Sequence, residues 1–265
     1  SDYERFAAVM GQAIELNRQA LFDYLLLHMV PAPDTVYQGV HKLAAGTCAV
    51  FENGTVRTSR YWTPGFISKT SESPEKLGAD LHDALAVAVR DCGTQSGTGA
   101  FLSGGLDSST VAGVLGKVSG ERPRTLSIGF GVAEFNEIEY ARIATKRFNA
   151  IAHEYNVTHE DIISAFPRIA AAYDEPFGNS SAVPTYFCAQ LAAASGVHHL
   201  LAGDGGDEIF AGNERYAKQR VFERYQGLPG VLRKGLLEPV ADLIPPDTGP
   251  WPMRKFRSYV EQARI

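Results

Sequence analysis

Apolar positions change their spacing along the chain, and the change predicts two parts. In the first part, helical spacing over 3–27 is followed by prolines and then by two short runs that flank Asn53-Gly54. An Asn-Gly pair favours the primed turn that joins two twisted antiparallel strands, so we predict a β-hairpin formed by 48–51 and 55–62. Residues 63–73 are rich in Pro, Gly, Ser and Thr, which predicts a linker.

In the second part, short apolar runs alternate with stretches of helical spacing. The predicted strands cover residues 99–102, 124–130, 152–157 and 198–202. Five helices are predicted. The first begins at Pro74 with Ser73 as N-cap, the second carries Val111, Val114 and Leu115, and the third opens at Asn136 with Glu139 completing a capping box. The last two cover 162–173 and 183–194. Strands separated by helices of this length indicate right-handed βαβ units on a parallel sheet. The fold class is therefore α/β, a Rossmann-like parallel sheet with helices on both faces, preceded by the hairpin segment and followed by a helical C-terminal segment.

Composition excludes several classes of protein. The chain has 265 residues, 45% of them apolar, and can bury a core without disulfides or a structural metal. A net charge of −5 disfavours a nucleic-acid surface. No apolar run approaches the roughly 18–20 residues that a membrane span needs, and the first residues do not resemble a signal peptide. Three cysteines without CxxC spacing indicate a reducing compartment, so we expect a cytoplasmic globular protein.

Two glycine-rich segments follow predicted strands. The first is Ser103-Gly-Gly-Leu-Asp-Ser-Ser109, and the second is Gly203-Asp-Gly-Gly-Asp-Glu208. Open parallel sheets bind ligands at the carboxyl ends of their strands. In the first segment the glycines would expose backbone N–H groups to an anion, and the N-terminus of the next helix would point at the same place. The pattern predicts a phosphate cradle.

Acidic residues in both segments bear on a metal. A carboxylate such as Asp107 repels phosphate unless a cation lies between them, so it indicates Mg²⁺, which commonly binds one or two carboxylates together with phosphate oxygens. Asp204, Asp207 and Glu208 would repel one another without a cation or a raised pKa. The structural alternatives are an ordinary strand-to-helix turn with Asp107 as N-cap, and a glycine-rich loop whose acids cap a helix.

These segments carry a resemblance to a known family. SGGLDSS resembles the pyrophosphate-loop signature of the ATP pyrophosphatase fold, which is adenine nucleotide α-hydrolase-like. LAGDGGDEIFAG resembles the second signature of the asparagine synthetase (glutamine-hydrolysing) family. Further matches lie in 24–62, 127–130, 135–137 and 174–186, so the resemblance covers about residues 21–216.

The resemblance implies a carbon–nitrogen ligase that uses ATP and Mg²⁺. ATP would adenylate a carboxylate, expected to be the aspartate side chain, and ammonia would attack the adenylate to give asparagine, AMP and pyrophosphate. Two alternatives stay open. One is an amidotransferase or cyclase of the same family that acts on another carboxylate, in a β-lactam, lasso-peptide or polysaccharide pathway. The other is a non-catalytic nucleotide-binding module.

Site residues also follow from the resemblance. The residues that would hold pyrophosphate are Ser103, Gly104, Gly105, Asp107 and Ser108. The adenosine pocket would be lined by Leu102, Ile128 and Gly203. Asp107 and Asp207 would bind Mg²⁺, and Asp204 would orient or deprotonate the nucleophile. On the substrate side the candidates are Asp174, Glu175 and Ser181, whereas Glu208 is interpreted as a helix cap in preference to a residue that supports the metal ligands.

The family pattern predicts a domain organisation as well. Residues 1–70 resemble the lead-in from a glutaminase domain, and residues 71–265 resemble a synthetase domain that is truncated at its C-terminal end. Three features of the family are not recognised here: the glutaminase domain, its cysteine nucleophile and a distal lysine. The glutaminase domain is therefore expected N-terminal to these residues in the full-length chain. The expected partners are a small carboxylate and ammonia, with no nucleic acid and no membrane, and a homodimer is left open.

Overall fold

The computed structural model describes residues 15–65, 70–132, 136–210, 212, 214–246 and 248–264. It divides into two compact units, Ser1–Ala202 and Gly203–Ile265. Part of the helical spacing over 3–27 and part of the predicted linker, at 66–69, lie outside the described residues. The predicted domain boundary near residue 70 stays a prediction. Within the described ranges, no helix is long and apolar enough to cross a bilayer.

The first unit contains an N-terminal helix, a hairpin and an α/β layer structure. Its elements in chain order are α1 (Arg18–Leu27), β1 (Thr47–Glu52), β2 (Thr55–Arg60), α2 (Pro74–Cys92), β3 (Thr98–Phe101), α3 (Leu106–Ser119), β4 (Arg124–Phe130), α4 (Ile138–Arg147), β5 (Ile151–Val157), α5 (His159–Ala172), α6 (Ala182–Ala194) and β6 (His199–Leu201). The four predicted strands of the second sequence part and the helices between them are therefore confirmed within one to three residues at most ends.

The hairpin is confirmed. β1 and β2 pair in antiparallel register from Thr47 with Arg60 to Glu52 with Thr55. Asn53 and Gly54 both have positive φ, 50° and 77°, as a primed turn requires. Most side chains of the hairpin are exposed.

The main sheet is parallel, with strand order β5-β4-β3-β6. The chain runs from β3 outward to β5 and then returns to place β6 on the other side of β3. Among the described residues the sheet has four strands. The change of direction between β3 and β6 is the place where open parallel sheets form a ligand crevice.

Helices cover both faces of this sheet, as predicted. Ala100 and Leu102 pack with side chains of α2, α3 and α4 in one buried cluster. The intervening Phe101 packs with Leu126 and with Cys188 of α6 on the opposite face. Alternate residues of the central strand region thus face opposite cores, because successive side chains of a strand point to opposite sides.

Helix caps are predicted with mixed success. Ser73 accepts the Lys76 N–H, so the first predicted cap is confirmed. The capping box at Asn136 and Glu139 is wrong: Asn136 does accept the Ile138 N–H, but the Glu139 carboxylate pairs with an arginine one turn later. The competing charge is close enough to attract the carboxylate away from the backbone. A complete capping box instead opens α5.

Cys188 lies in the core, 3% exposed, and burial raises the pKa of its thiol from 9.0 to about 12. We therefore expect alkylation of the native protein at pH 8 to modify the exposed Cys48 and Cys92 and to spare Cys188. Mass spectrometry before and after unfolding measures this directly. Because the folded-state pKa is raised, the stability that the neutral thiol contributes is present below pH 9 and is lost as the pH approaches 12. Rapid labelling of Cys188 in the native protein would contradict the assigned burial.

The second unit is helical, as predicted. Its elements are α7 (Gly206–Phe210), α8 (Glu214–Gln226), α9 (Gly230–Leu232), a π-helical turn (Arg233–Leu237), α10 (Glu238–Asp242) and α11 (Trp251–Ala263). Ala241, Ile244 and Val260 are buried between the last helices. Arg264 pairs with Asp242 at 2.9 Å and so joins the end of α11 to α10.

Candidate active site

The first glycine-rich segment begins where β3 ends. Leu102 is 2% exposed, and its N–H donates to the carbonyl of Leu126 at 2.9 Å. The Leu102 carbonyl in turn accepts the buried Ser127 hydroxyl at 2.7 Å. These two bonds to β4 fix the direction in which the chain leaves the sheet.

Gly104 occupies a position that only glycine fits. Its φ is +94°, a left-handed conformation that costs other residues about 1–2 kcal/mol. A Cβ at this position would lie 2.5 Å from the Ala141 nitrogen and 2.5 Å from the Tyr140 Cβ. The loop is therefore in direct contact with the first turns of α4, and a side chain at 104 would push the two apart.

Several backbone N–H groups of this loop have no acceptor. The Ser103 N–H donates to the Ser108 hydroxyl and the Gly105 N–H to the Ser103 hydroxyl, both at 3.3 Å. In the part of the chain that the structure describes, no acceptor is found for the remaining N–H groups, which are those of Gly104, Leu106, Asp107 and Ser108. Unpaired amides at the start of a 14-residue helix attract an anion. The hydroxyls of Ser103 and Ser108 lie 3.0 Å apart and hydrogen-bond to each other, and the Ser108 hydroxyl also donates to the Gly105 carbonyl at 3.3 Å, so a hydroxyl would rotate to donate to an anion.

Asp107 is the second residue of α3 and is half-buried. The alternative that it caps its helix is wrong, because the N-cap is Gly105 and no side chain caps the helix. Its carboxylate has no hydrogen-bond or ion-pair partner among the described residues. It is thus available to a cation that approaches together with an anion in the loop.

Asp107 and the loop after β3 suit a magnesium ion that is bound together with a polyphosphate. Groups of three or more His, Cys, Asp or Glu that would hold a metal are absent from the described ranges. Mg²⁺ is usually held by one or two carboxylates, with phosphate oxygens and water completing the octahedron. The loop therefore suits a metal that arrives with a polyphosphate, and not a metal bound by the protein alone.

Two candidates for the adenosine pocket, Leu102 directly after β3 and Ile128 on the neighbouring β4, have side chains on opposite faces of the sheet. The Leu102 side chain belongs to the cluster with α2, α3 and α4. The Ile128 side chain is half-buried against the clusters that include α5 and α6. The structure does not bring these two side chains together, so a pocket that they share would use their backbone atoms.

The substrate-side candidates lie in the segment between α5 and α6. Asp174 lines a cavity of about 760 Å³, and Ser181 lines another of about 620 Å³. Glu175 has a different environment, because its carboxylate contacts Lys42 and the Val36 N–H. Lys42 is not recognisable from the sequence, since no short motif marks a partner so distant in the chain.

The second glycine-rich segment forms a turn followed by the short helix α7. The Gly203 carbonyl accepts the Gly206 N–H at 3.3 Å, and Gly205 has a φ of +88°. Asp207 and Glu208 lie in the first turn of α7, where negative charge is favoured by the helix N-terminus. Their side chains and that of Asp204 are exposed. Water can solvate all three carboxylates, so their proximity alone does not require a cation.

Comparisons with known proteins agree with this arrangement of motifs. The family model described as asparagine synthase matches residues 80–263. A model described as a glutamine amidotransferase domain gives a weak match to residues 1–62.

Relatives named as asparagine synthetases match most of the chain. A putative asparagine synthetase [glutamine-hydrolyzing] 2 of Methanocaldococcus jannaschii is 33% identical over 82% of the chain and 42% of its own length. Asparagine synthetase [glutamine-hydrolyzing] 1 of Bacillus subtilis is 29% identical over 91% of the chain and 38% of its own length. The chain thus spans about two fifths of the length of these two asparagine synthetases.

A solved structure was also compared. The structure of an NH3-dependent NAD synthetase of Campylobacter jejuni matches with a TM-score of 0.33 and 16% identity, over 49% of this chain and 56% of the synthetase chain.

Proposed function

The chain belongs to the asparagine synthase family, and from this premise we propose that it forms an amide from a carboxylate, ammonia and ATP. The observation that carries the proposal is the loop after β3, in which four backbone N–H groups lack an acceptor among the described residues and two serine hydroxyls lie in the same loop. The proposed carboxylate is the side chain of aspartate, and the products are asparagine, AMP and pyrophosphate.

The proposed reaction has two steps. In the first, a carboxylate oxygen of the substrate attacks the α-phosphorus of ATP, and the bond from that phosphorus to the bridging oxygen breaks to release pyrophosphate. In the second, the ammonia nitrogen attacks the acyl carbon, loses a proton, and displaces AMP. Interactions that are stronger in the transition state than in the ground state accelerate these steps, and donors that contact the developing charge are one kind.

Each loop residue has a proposed role in this scheme. Ser103, Gly104, Gly105 and Ser108 hold the leaving pyrophosphate through their N–H and hydroxyl groups, and Asp107 holds magnesium. Magnesium, when bound, offsets the negative charge that develops on the pyrophosphate. Leu102, Ile128 and Gly203 are proposed to line the adenosine.

The second segment completes the proposal. Asp207 is proposed as a magnesium ligand, and Asp204 is proposed to orient the ammonia or take its proton, since a carboxylate can act as a general base. Glu208 is proposed to stabilise the start of α7 through its charge, since it lies in the first turn of that helix.

A glutaminase domain is the proposed source of ammonia. The weak match of residues 1–62 to a glutamine amidotransferase domain supports it. The N-terminal elements also expose large apolar side chains, among them Phe22, Leu25, Leu26, Val50, Phe51 and Trp62. Exposed apolar side chains in these elements agree with an interface to another domain. Free cysteines agree with a cytoplasmic location, which is part of the proposal.

Exchange of labelled pyrophosphate into ATP tests the first step. We expect exchange that depends on magnesium and on added aspartate, because the adenylate forms reversibly before ammonia is used. Exchange only with another carboxylate would point to the related amidotransferases and cyclases. No exchange with any carboxylate, from protein that still binds ATP in calorimetry, would indicate a non-catalytic nucleotide-binding module and contradict the proposal.

A further inference from the structure

Lys42 and Glu175 form an ion pair between distant parts of the first unit. The Lys42 Nζ lies 2.6 Å from Glu175 Oε2 and also donates to the Val30 carbonyl at 2.7 Å. The other carboxylate oxygen, Oε1, accepts the Val36 N–H at 2.9 Å. The side chains are 32% and 18% exposed, so water screens this pair less than a surface pair. Each oxygen of Glu175 already accepts a bond from the protein.

A second contact lies three residues further along the same segment. The Gly178 N–H donates to the His28 carbonyl at 3.1 Å. A Cβ on Gly178 would lie 2.7 Å from the Cβ of His28 and 2.9 Å from its oxygen, so the two backbones are in close contact. Residues 28–42 therefore hold the segment at two points, 175 and 178.

The segment that is held connects α5 to α6 and has no helix or strand over 173–181. It separates two cavities: Asp174 lines the larger one, Ser181 the smaller one, and Ser180 both. The two points of attachment lie between Asp174 and Ser181, the two remaining substrate-side candidates. A segment without regular structure needs such contacts to keep side chains in one arrangement, because each ordered residue costs conformational entropy.

We propose that Lys42 and Glu175 are positioning residues for the carboxylate substrate. The ion pair holds 173–181 so that the candidates Asp174 and Ser181 keep their places in the two cavities where the carboxylate would bind, and neither Lys42 nor Glu175 touches the substrate. This inference rests on the proposed function for the identity of the ligand. It replaces the sequence-based role of Glu175 as a substrate ligand, since its carboxylate is already engaged.

The test compares three variants with the unmodified protein: Lys42→Met, Glu175→Gln and the double variant. Each single change should raise the KM for the carboxylate in pyrophosphate exchange by about tenfold, equivalent to about 1.4 kcal/mol, with the KM for ATP within about twofold. The double variant should be no worse than the worse single variant, because both changes remove the same interaction. Lys42→Arg should restore most of the affinity. The matched control is Lys76→Met, which removes an exposed ion pair with Glu72.

Hydrogen–deuterium exchange gives a readout that does not need activity. Amides of 173–181 should exchange about tenfold faster in Lys42→Met, while the strands of the sheet stay protected. An unchanged rate of hydrogen–deuterium exchange in 173–181 would overturn the proposal. A lower melting temperature with an unchanged carboxylate KM would also overturn it, because the pair would then be only structural. If the unmodified protein shows no exchange of pyrophosphate, the proposed function fails, and the substrate part of this inference fails with it.

Discussion

Replacing Asp107 with alanine is expected to abolish magnesium-dependent binding of ATP. The carboxylate is half-buried beside the unpaired amides of the loop and has no partner in the described part of the protein. If it holds the magnesium ion, its loss should lower the affinity for ATP in magnesium buffer by at least about 100-fold, since such contacts contribute several kcal/mol. Isothermal calorimetry measures this affinity.

The same variant should behave differently when EDTA is present. Without metal, the native carboxylate repels the phosphates, so Asp107→Ala should bind metal-free ATP as well as the native protein or a few times better. Asp83→Ala, an exposed aspartate on α2, makes the same chemical change and should alter neither affinity. Stability should fall by only about 0.3–1 kcal/mol, the usual effect of one acid at a helix N-terminus. Equal ATP affinity of Asp107→Ala and the native protein in magnesium would exclude Asp107 as a ligand.

Gly104→Ala should disrupt the loop itself. The new methyl would meet backbone atoms of α4 and would also have to adopt a φ of +94°. Overpacking and the left-handed conformation together should lower the free energy of unfolding by about 2–5 kcal/mol. Binding of ATP should be lost as well, because a shift of residue 104 would displace its own unpaired N–H and those of the next residues at the start of α3. Urea denaturation and calorimetry check the two effects.

The neighbouring glycine gives a matched control. Gly105 has a φ of −68°, and a Cβ there would contact only the Ser103 hydroxyl, at 3.4 Å. Gly105→Ala should therefore change the free energy of unfolding by about 1 kcal/mol or less. If the two alanine variants were equally stable, the close contact between the loop and α4 would be wrong.

Much of the fold could be predicted from the sequence because the signals are local. The strand at 124–130 is observed at those limits, and Asn53-Gly54 forms the expected turn. Both depend on residues a few positions apart. The capping box predicted at Asn136 was wrong for a reason that is also local. The Glu139 carboxylate could bond either the backbone N–H of residue 136 or the nearby Arg142, and it pairs with Arg142.

The candidate site was predictable only in part. The loop after β3 can be read from its glycines, and its unpaired N–H groups agree with the phosphate interpretation. The partner of Glu175 could not be read, because Lys42 lies 133 positions away and no spacing rule connects them. Likewise, the opposite orientations of Leu102 and Ile128 depend on the register of β3 against β4, which a single sequence does not specify.

The strand order has a consequence for how the chain is made. β3, which carries the phosphate loop, has one edge covered by β4 soon after it is synthesised, but its other edge pairs with β6, from Thr98 with His199 to Ala100 with Leu201. Until residue 201 has left the ribosome, that edge keeps unpaired backbone groups beside an apolar core. Closing so long a loop is slow, and an open parallel edge is a template for association with another chain. Nascent chains that end before β6 are therefore the form of this protein that most needs a chaperone.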